Sequence, residues 1–462
     1  MPAEGFAVST PIVVIGAGAA GLCAALAARE TGAEVVVLER DSVPRGSTAL
    51  SAGLIPAAAT RFQKTLGISD NAAQFAADIS KKAHGEADGR IVDMVAREAG
   101  PAVEWLADGY GLPFSVVNDF DYPGHSARRM HGLPSRSGAE LIDRLRQAAD
   151  EAAITLILDA TVTTLYADDE RLVRGVEITR PDGGRDRLGC QALILACNGY
   201  GGAADLVARH IPEMRDAYYF GHPGNRGDAV LWGEALGAKL VHMSGYQGHG
   251  SVAHPHGILI TWAVIMEGGF QVNLEGERFS DESQGYSEQA AIVLAQPEHT
   301  AFDIFDERIA AVARQFEDFR QAESAGAVIE AASAAELAER LKLPASALVQ
   351  SFAEVDSAKR AGGRDRFGRP FPGRPPLSPP FKAVRVTGAL FHTQGGLAVD
   401  GDARVVDGQG ARFPNLFAAG GAASGVSGSL ASGYLSGNGL LAATVLGRIA
   451  GRSAADLVNR NR

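Results

Sequence analysis

Cysteine is scarce: the chain of 462 residues holds 3, at Cys23, Cys190 and Cys197. They are too few and too scattered for a disulfide framework, and none stands in a C-x-x-C or C-x-x-C-H pair. Disulfide scaffolds, iron–sulfur clusters, c-type haem and cysteine-based metal sites are therefore unsupported, and no metal is expected. Cys23 falls in a helix-forming stretch and Cys197 at a strand end, where a thiol packs as a small apolar group. Positive charge is also short. With 43 Lys and Arg against 54 Asp and Glu the formal net charge is −11, which repels nucleic acid and anionic membrane surfaces at long range. No uninterrupted apolar run reaches the length of a membrane span. A basic segment followed by an apolar one is missing from the amino-terminal stretch. The expectation is a cytoplasmic protein acting on a small molecule. At 462 residues with 46% apolar composition, the chain is too long for one ordinary core, and two domains are expected.

Glycine, by contrast, is abundant, with 56 residues. Gly16, Gly18 and Gly21 sit between the apolar run 11–15 and an alanine-rich helical stretch, and Glu39 follows at the end of a second apolar run, 35–38. That pattern predicts a βαβ unit that holds a dinucleotide. Gly16 permits the tight turn, Gly18 lets the backbone approach a pyrophosphate, and Gly21 lets helix and sheet pack closely. The helix start at Ala19 and Ala20 presents unpaired N–H groups to the phosphates. Glu39, followed by Arg40, can accept from ribose hydroxyls and would repel a 2′-phosphate, which suits FAD or NAD and not NADP.

Further glycine-rich turns follow. Gly46, Ser47, Thr48, Ser51 and Gly53 form a run of small and hydroxyl residues where backbone passes close to something. Helical patterns cover 70–108 and 137–153, the second opened by Ser137 as an N-cap. Residues 154–195, Val162 among them, read as short strands with a turn at 181–184, and lead into Cys197, Asn198 and Gly199. From about 231 the character changes, with polar helices between 307 and 360 and a Pro/Gly/Arg-rich connector at 362–380. The last segment returns to strand and glycine, with Gly420 and Gly421, a Gly/Ser stretch containing Ser436 and Asn438, and a helical run over 438–450. The fold class expected is α/β. A Rossmann-like, doubly wound FAD-binding domain (1–230 and 376–462) is interrupted by an α+β capping or substrate domain (231–375).

These motifs, together with Asn225-Arg226-Gly227-Asp228, Glu275-Gly276-Glu277-Arg278-Phe279, His392-Thr393-Gln394-Gly395-Gly396 and Phe417-Ala418-Ala419-Gly420-Gly421, resemble the FAD-dependent fumarate reductase and succinate dehydrogenase flavoprotein superfamily. The resemblance spans nearly the whole chain and includes the 3-oxosteroid dehydrogenase branch. It implies a capping domain that closes over the flavin and shields hydride transfer from water, with cofactor contacts from the turns named above, Asp228 and His392. Covalently flavinylated members use a histidine in the segment matching 46–53. This chain has none there, so non-covalent FAD is expected. Fumarate reductases clamp a substrate carboxylate with an arginine that best matches Tyr434. They also use an arginine as proton donor ahead of a strand like 301–305, where this chain has Glu298-His299-Thr300.

The oxosteroid branch carries three active-site tyrosines, and Tyr122, Tyr286 and Tyr434 stand in similar contexts. Its glycine N–H, four residues after the last tyrosine, matches Asn438, flanked by Gly437 and Gly439. Desaturation beside a ketone needs a polarised carbonyl, a base for the α-proton and an acceptor for the β-hydride. Tyr434 is the expected carbonyl donor. Tyr286 is the expected base, its phenolate favoured by neighbours such as Tyr122. His392 is expected beside substrate or flavin. Arg278 is read both as a catalytic residue and as a member of a structural ion-pair cluster with Glu275 and Glu282. His125, Arg128, Arg129 and His131 form a basic knot, read as a solvated loop or, if it faces the pocket, as a carboxylate site. The leading reading is an FAD-dependent dehydrogenase of a cyclic ketone, with an external electron acceptor. Reduction of an unsaturated dicarboxylate is the alternative, and a non-catalytic flavoprotein is the third.

Overall fold

The computed structural model describes residues 5–118 and 121–460. The chain divides into two compact units, one of Met1–Ile211, Gly221–Tyr246 and His392–Arg462, the other of Pro212–Phe220 and Gln247–Phe391.

The first unit is built on a sheet whose parallel strands run in the order Arg412–Ala418, Arg185–Leu195, Val8–Ile15, Val35–Leu38 and Thr155–Ile157. The central strands carry unbroken apolar runs, Ile12–Ile15, Val35–Leu38 and Ala192–Leu195, because a parallel sheet is covered on both faces. Ile12, Val13, Val14, Leu193 and Ile194 are all fully buried. Strand Arg404–Val406 adds an antiparallel edge, and the hairpin Thr161–Ala167 and Val173–Thr179 joins Arg185–Leu195 in antiparallel fashion. Register decides where the turns emerge. Ile15 pairs with both Leu38 and Leu195, and Ala418 pairs with Leu195. The turns after these four strands therefore share one edge of the sheet, the carboxyl edge at which open α/β sheets bind ligands.

Helix Ala19–Arg29 is buried from Ala19 to Ala28 and is packed on by the closing helix Asn438–Arg460. A Cβ at Gly447 would fall 2.4 Å from the Ala20 carbonyl oxygen, and one at Gly451 2.0 Å from that of Ala24. Two glycines four residues apart thus form a seam along which backbone meets backbone. The helical pattern over 70–108 resolves into Ala72–Lys82 and Gly89–Tyr110, the second capped by Asp88. Ser137 caps Gly138–Glu151 by accepting from the Glu140 N–H.

The second unit is organised around Phe381–Thr393, a strand of 13 residues. It pairs antiparallel with Thr300–Asp306, from Thr300 opposite Thr387 to Asp306 opposite Phe381. Helices between residues 307 and 361 close a core of Phe305, Phe319, Leu337, Leu348 and Val355. The unit boundaries fall elsewhere than the composition places them. Residues 231–246 go with the first unit, where Leu240–Val241 pairs with Gly396–Leu397, and residues 212–220 go with the second, where Tyr218–Tyr219 pairs with Ala389 and Leu390. Residues 376–391 go with the second because Phe381–Thr393 is the middle of its sheet. The Pro/Gly/Arg-rich connector therefore leads into that sheet and does not end the unit. Among the described residues no helix is long and apolar enough to cross a membrane.

Candidate active site

In the first unit the glycine-rich turns converge. Gly16 has φ +102° and its added Cβ would lie 2.5 Å from the Ala196 carbonyl oxygen, while one at Gly21 would lie 1.8 Å from that of Gly16. Gly18 differs: an added Cβ meets nothing nearer than the Thr48 hydroxyl at 3.5 Å. Its hydrogen leaves open space at a helix start, the form of a phosphate cradle. The Ala19 N–H donates to Thr48 Oγ1 (3.0 Å), which ties the 46–53 segment to that turn, and Ser47 Oγ accepts from Asn225 Nδ2 (2.8 Å). Glu39 accepts from the N–H groups of Ala17 (2.8 Å) and Asp41 (3.1 Å). A carboxylate has roughly four acceptor positions, so lone pairs remain for ribose hydroxyls. Arg40 pairs with Asp228 (2.5 Å). Ala160, two residues before Val162, donates to the Glu39 carbonyl (2.8 Å). The turn at Cys197, Asn198 and Gly199 abuts that at Gly420 and Gly421, since a Cβ on Gly421 would lie 2.1 Å from Asn198 Oδ1. Gly53, at φ +66°, packs on Ser137.

The same unit brings His392 and Tyr434 together, their rings edge to face at 5.5 Å. Burial pushes the Tyr434 phenol above its ordinary range, against the opposing effect of the N–H groups of Gly439 and Gly437 that donate to its oxygen. The phenol therefore stays protonated at neutral pH, as a donor whose O–H is polarised by two backbone amides. These amides are the flanking glycines on either side of Asn438. Burial also pulls His392 down to about 4, so its imidazole is neutral. Its Nδ1 lies 2.9 Å from Gln394 Nε2. Ser427 donates to Gln394 Oε1 (2.8 Å) and accepts from Asn438 Nδ2 (3.0 Å). Nearby, the Ser436 carbonyl accepts from His125 Nε2 (2.9 Å).

The basic knot is not a solvated loop. Arg129 and His131 are buried. Arg129 is held bidentately by Asp70 (2.9 Å) and also by Asp78 (2.5 Å), and His131 bonds Thr60 Oγ1 (2.8 Å) and the Arg129 carbonyl. Only Arg128, on Asp121 and Asn118, is exposed. Internal carboxylates neutralise the knot, so its local run of positive charge does not make a free anion site. Tyr122 is half-buried against Leu54, Val117 and Met130.

In the second unit Tyr286 opens helix Tyr286–Leu294 and stacks on His249 at 5.0 Å and 23°. His249 in turn stacks on Phe391 (5.4 Å, 21°), and Phe391 on Phe220 (4.7 Å, 15°). Trp262 closes edge-on against His249 and Tyr286. Burial pulls His249 down to about 3. The Ser251 N–H donates to its Nδ1 (3.1 Å), which leaves the ring proton on Nε2. Sequence reasoning passed over His249, because a lone histidine in Gly248-His249-Gly250 has no spacing signal. Its mark is the ring it stacks on. Arg278 is engaged on every guanidinium nitrogen, by Glu282 (2.7 and 3.2 Å), Asp365 and the Ser280 carbonyl. Arg369 also pairs with Glu282 (2.8 Å). Glu282 lies well below the usual carboxylate range because these two arginines outweigh the opposing effect of its burial.

The family described as FAD binding domain matches residues 11–440. The chain belongs to that FAD-binding flavoprotein family. It is 30% identical over 457 residues to a probable fumarate reductase of Shewanella frigidimarina, covering 98% of this chain and 76% of the relative. The solved open conformation of a flavocytochrome c3 fumarate reductase superposes with TM-score 0.84 at 29% identity, over 99% of this chain and 80% of that one. A 4-oxocyclohexanecarboxylate 2-dehydrogenase of Sinomonas cyclohexanicum is 25% identical over 544 residues, covering 96% of this chain and 92% of the relative. As a member of this family the protein is an FAD-dependent oxidoreductase, with relatives among both fumarate reductases and cyclic-ketone dehydrogenases. The open space at Gly18 and the lone pairs left on Glu39 are what such a cofactor requires.

Proposed function

We propose that the protein desaturates a cyclic ketone, a 3-oxosteroid or a cyclohexanone-type ring that carries a carboxylate in some substrates, next to its carbonyl. The observation that carries this reading is the buried, neutral phenol of Tyr434, which the family resemblance matches to the carboxylate-clamping arginine of fumarate reductases. A phenol donates one hydrogen bond to a carbonyl oxygen, whereas a carboxylate asks for a bidentate cation. The turns of the first unit would hold FAD non-covalently, and the flavin would supply the acceptor for the β-hydride. Tyr434 donates to the ketone oxygen and stabilises the developing enolate, with His392 as a second neutral donor beside it. Tyr286 takes the α-proton. His249, neutral and stacked on Tyr286, holds the face of the phenol ring and so fixes its orientation. Arg278, held on all sides by acceptors, positions the segment that leads to Tyr286. The flat aromatic stack of Tyr286, His249 and Phe391 suits a ring substrate.

The second reading, reduction of an unsaturated dicarboxylate, is favoured by the 30% identity to a probable fumarate reductase. One assay separates them. With an artificial electron acceptor the purified protein should oxidise a cyclic ketone, and with a reduced dye it should not reduce fumarate. Fumarate reduction without turnover of any cyclic ketone tested would replace the first reading by the second.

A further inference from the structure

The polar chain behind His392 has a direction. Asn438 Nδ2 carries only hydrogens toward Ser427 Oγ (3.0 Å), so Ser427 accepts there and sends its own O–H to Gln394 (2.8 Å). The Gln394 atom that receives it is the carbonyl Oε1. The other end of the same amide, Nε2, then faces His392 Nδ1 at 2.9 Å and donates to it. A nitrogen that accepts bears no proton, so the ring proton of neutral His392 sits on Nε2. Thr393 competes, because its carbonyl oxygen lies 3.4 Å from the same Nδ1 and would require Nδ1–H. The shorter contact and the buried chain behind it oppose that.

We propose that Gln394 is the positioning residue that fixes His392 with its proton on Nε2, through a relay anchored at Asn438. Gln394, Ser427 and Asn438 are 5%, 1% and 0% exposed, so water does not compete for these bonds. The side chain of Gln394 fits where it does because Gly425 has none: a Cβ there would lie 2.6 Å from Gln394 Oε1. Asn438 Oδ1 is buried, and none of the described residues donates to it. It is left for an N–H or O–H of a bound ligand, and such a donor holds the Asn438 amide in the orientation the relay needs. His392 Nε2 would lie 2.8 Å from a Cβ on Gly439, beside the amide that donates to Tyr434. The relay thus gives His392 an N–H donor on the side of the phenol. The inference rests on the reading of His392 as a neutral donor and not on which substrate is turned over.

The test is the ring-nitrogen spectrum of the FAD-loaded protein labelled with ¹⁵N-histidine, with H392F to assign the signal. In wild type Nδ1 should show an unprotonated shift and Nε2 a protonated one. Gln394→Glu keeps an oxygen for the Ser427 hydroxyl but turns the His392-facing end from donor to acceptor, so Nδ1 should gain a proton. Gln394→Met, which removes the donor and leaves Thr393 as the partner, should show the same gain if the Glu variant fails to fold. A wild-type spectrum with Nδ1 protonated, or an Nδ1 that stays unprotonated in both variants, overturns the proposal. Neither result depends on substrate, so failure here is distinct from failure of the ketone assay.

Discussion

At the scale of single residues, the protonation of Tyr434 carries the functional argument. Burial holds the phenol above its ordinary range, which disqualifies it as a base and suits it as a donor. Tyr434→Phe keeps the ring against His392 and removes only the O–H. We expect kcat on a cyclic ketone to fall by about 10²-fold to 10³-fold, the range for loss of one oxyanion donor, with flavin content unchanged. Steady-state kinetics checks this, and an unchanged kcat would reduce Tyr434 to packing. Tyr434, His392 and Tyr286 are each named by a sequence motif, and the structure brings the first two into ring contact within one unit. His249 was not legible in the sequence, because stacking on Tyr286 and Phe391 depends on chain segments far apart in sequence. The burial of the basic knot is hidden for the same reason: Asp70 and Asp78, which neutralise Arg129, are remote from it along the chain.

At the scale of elements, the first strand, turn and helix separate two demands that a glycine fingerprint merges. Gly21 is needed by the fold, since a side chain there collides with the Gly16 carbonyl, while Gly18 has room for one. Gly18→Val should therefore fold and yet bind no flavin, because its methyls occupy the pyrophosphate's space. Absorbance near the flavin band and far-UV circular dichroism on the same sample check both halves, and a yellow variant would contradict the phosphate role. Strands and helices of this half were legible because buried parallel strands read as unbroken apolar runs and Ser137 announces its helix. The second unit's boundary was not. Composition marks the connector at 362–380, but pairing across Phe381–Thr393 decides where the sheet lies, and pairing is a long-range property.

At the scale of the whole molecule, one buried group ties stability to pH. Asp303, fully buried and bonded to Ser251 and to Gln271 (2.8 Å), is pushed up to about 7 chiefly by burial. Its unfolded value is about 3.9. Between these values the folded state holds a proton that the unfolded state has released, so this group's contribution to stability falls as pH rises from about 4 to 7. Asp303→Asn cannot ionise. Its Tm relative to wild type should therefore be higher at pH 8 than at pH 4, and a difference that is flat with pH, read by thermal unfolding at both values, would contradict the assignment.

The seam of Gly447 and Gly451 against Ala20 and Ala24 has a consequence for biosynthesis. The helix that follows the dinucleotide turn meets its partner Asn438–Arg460 only after the second unit has been made, and strand Arg185–Leu195 likewise waits for Arg412–Ala418 as its neighbour. The sheet of the second unit, contained within residues 218–393, can be complete while the nascent flavin-binding half still lacks two strands of its main sheet and a helix. Until Arg412–Ala418 is made, one edge of strand Arg185–Leu195 has no parallel neighbour. A domain that folded vectorially from its amino terminus would leave no edge waiting in this way.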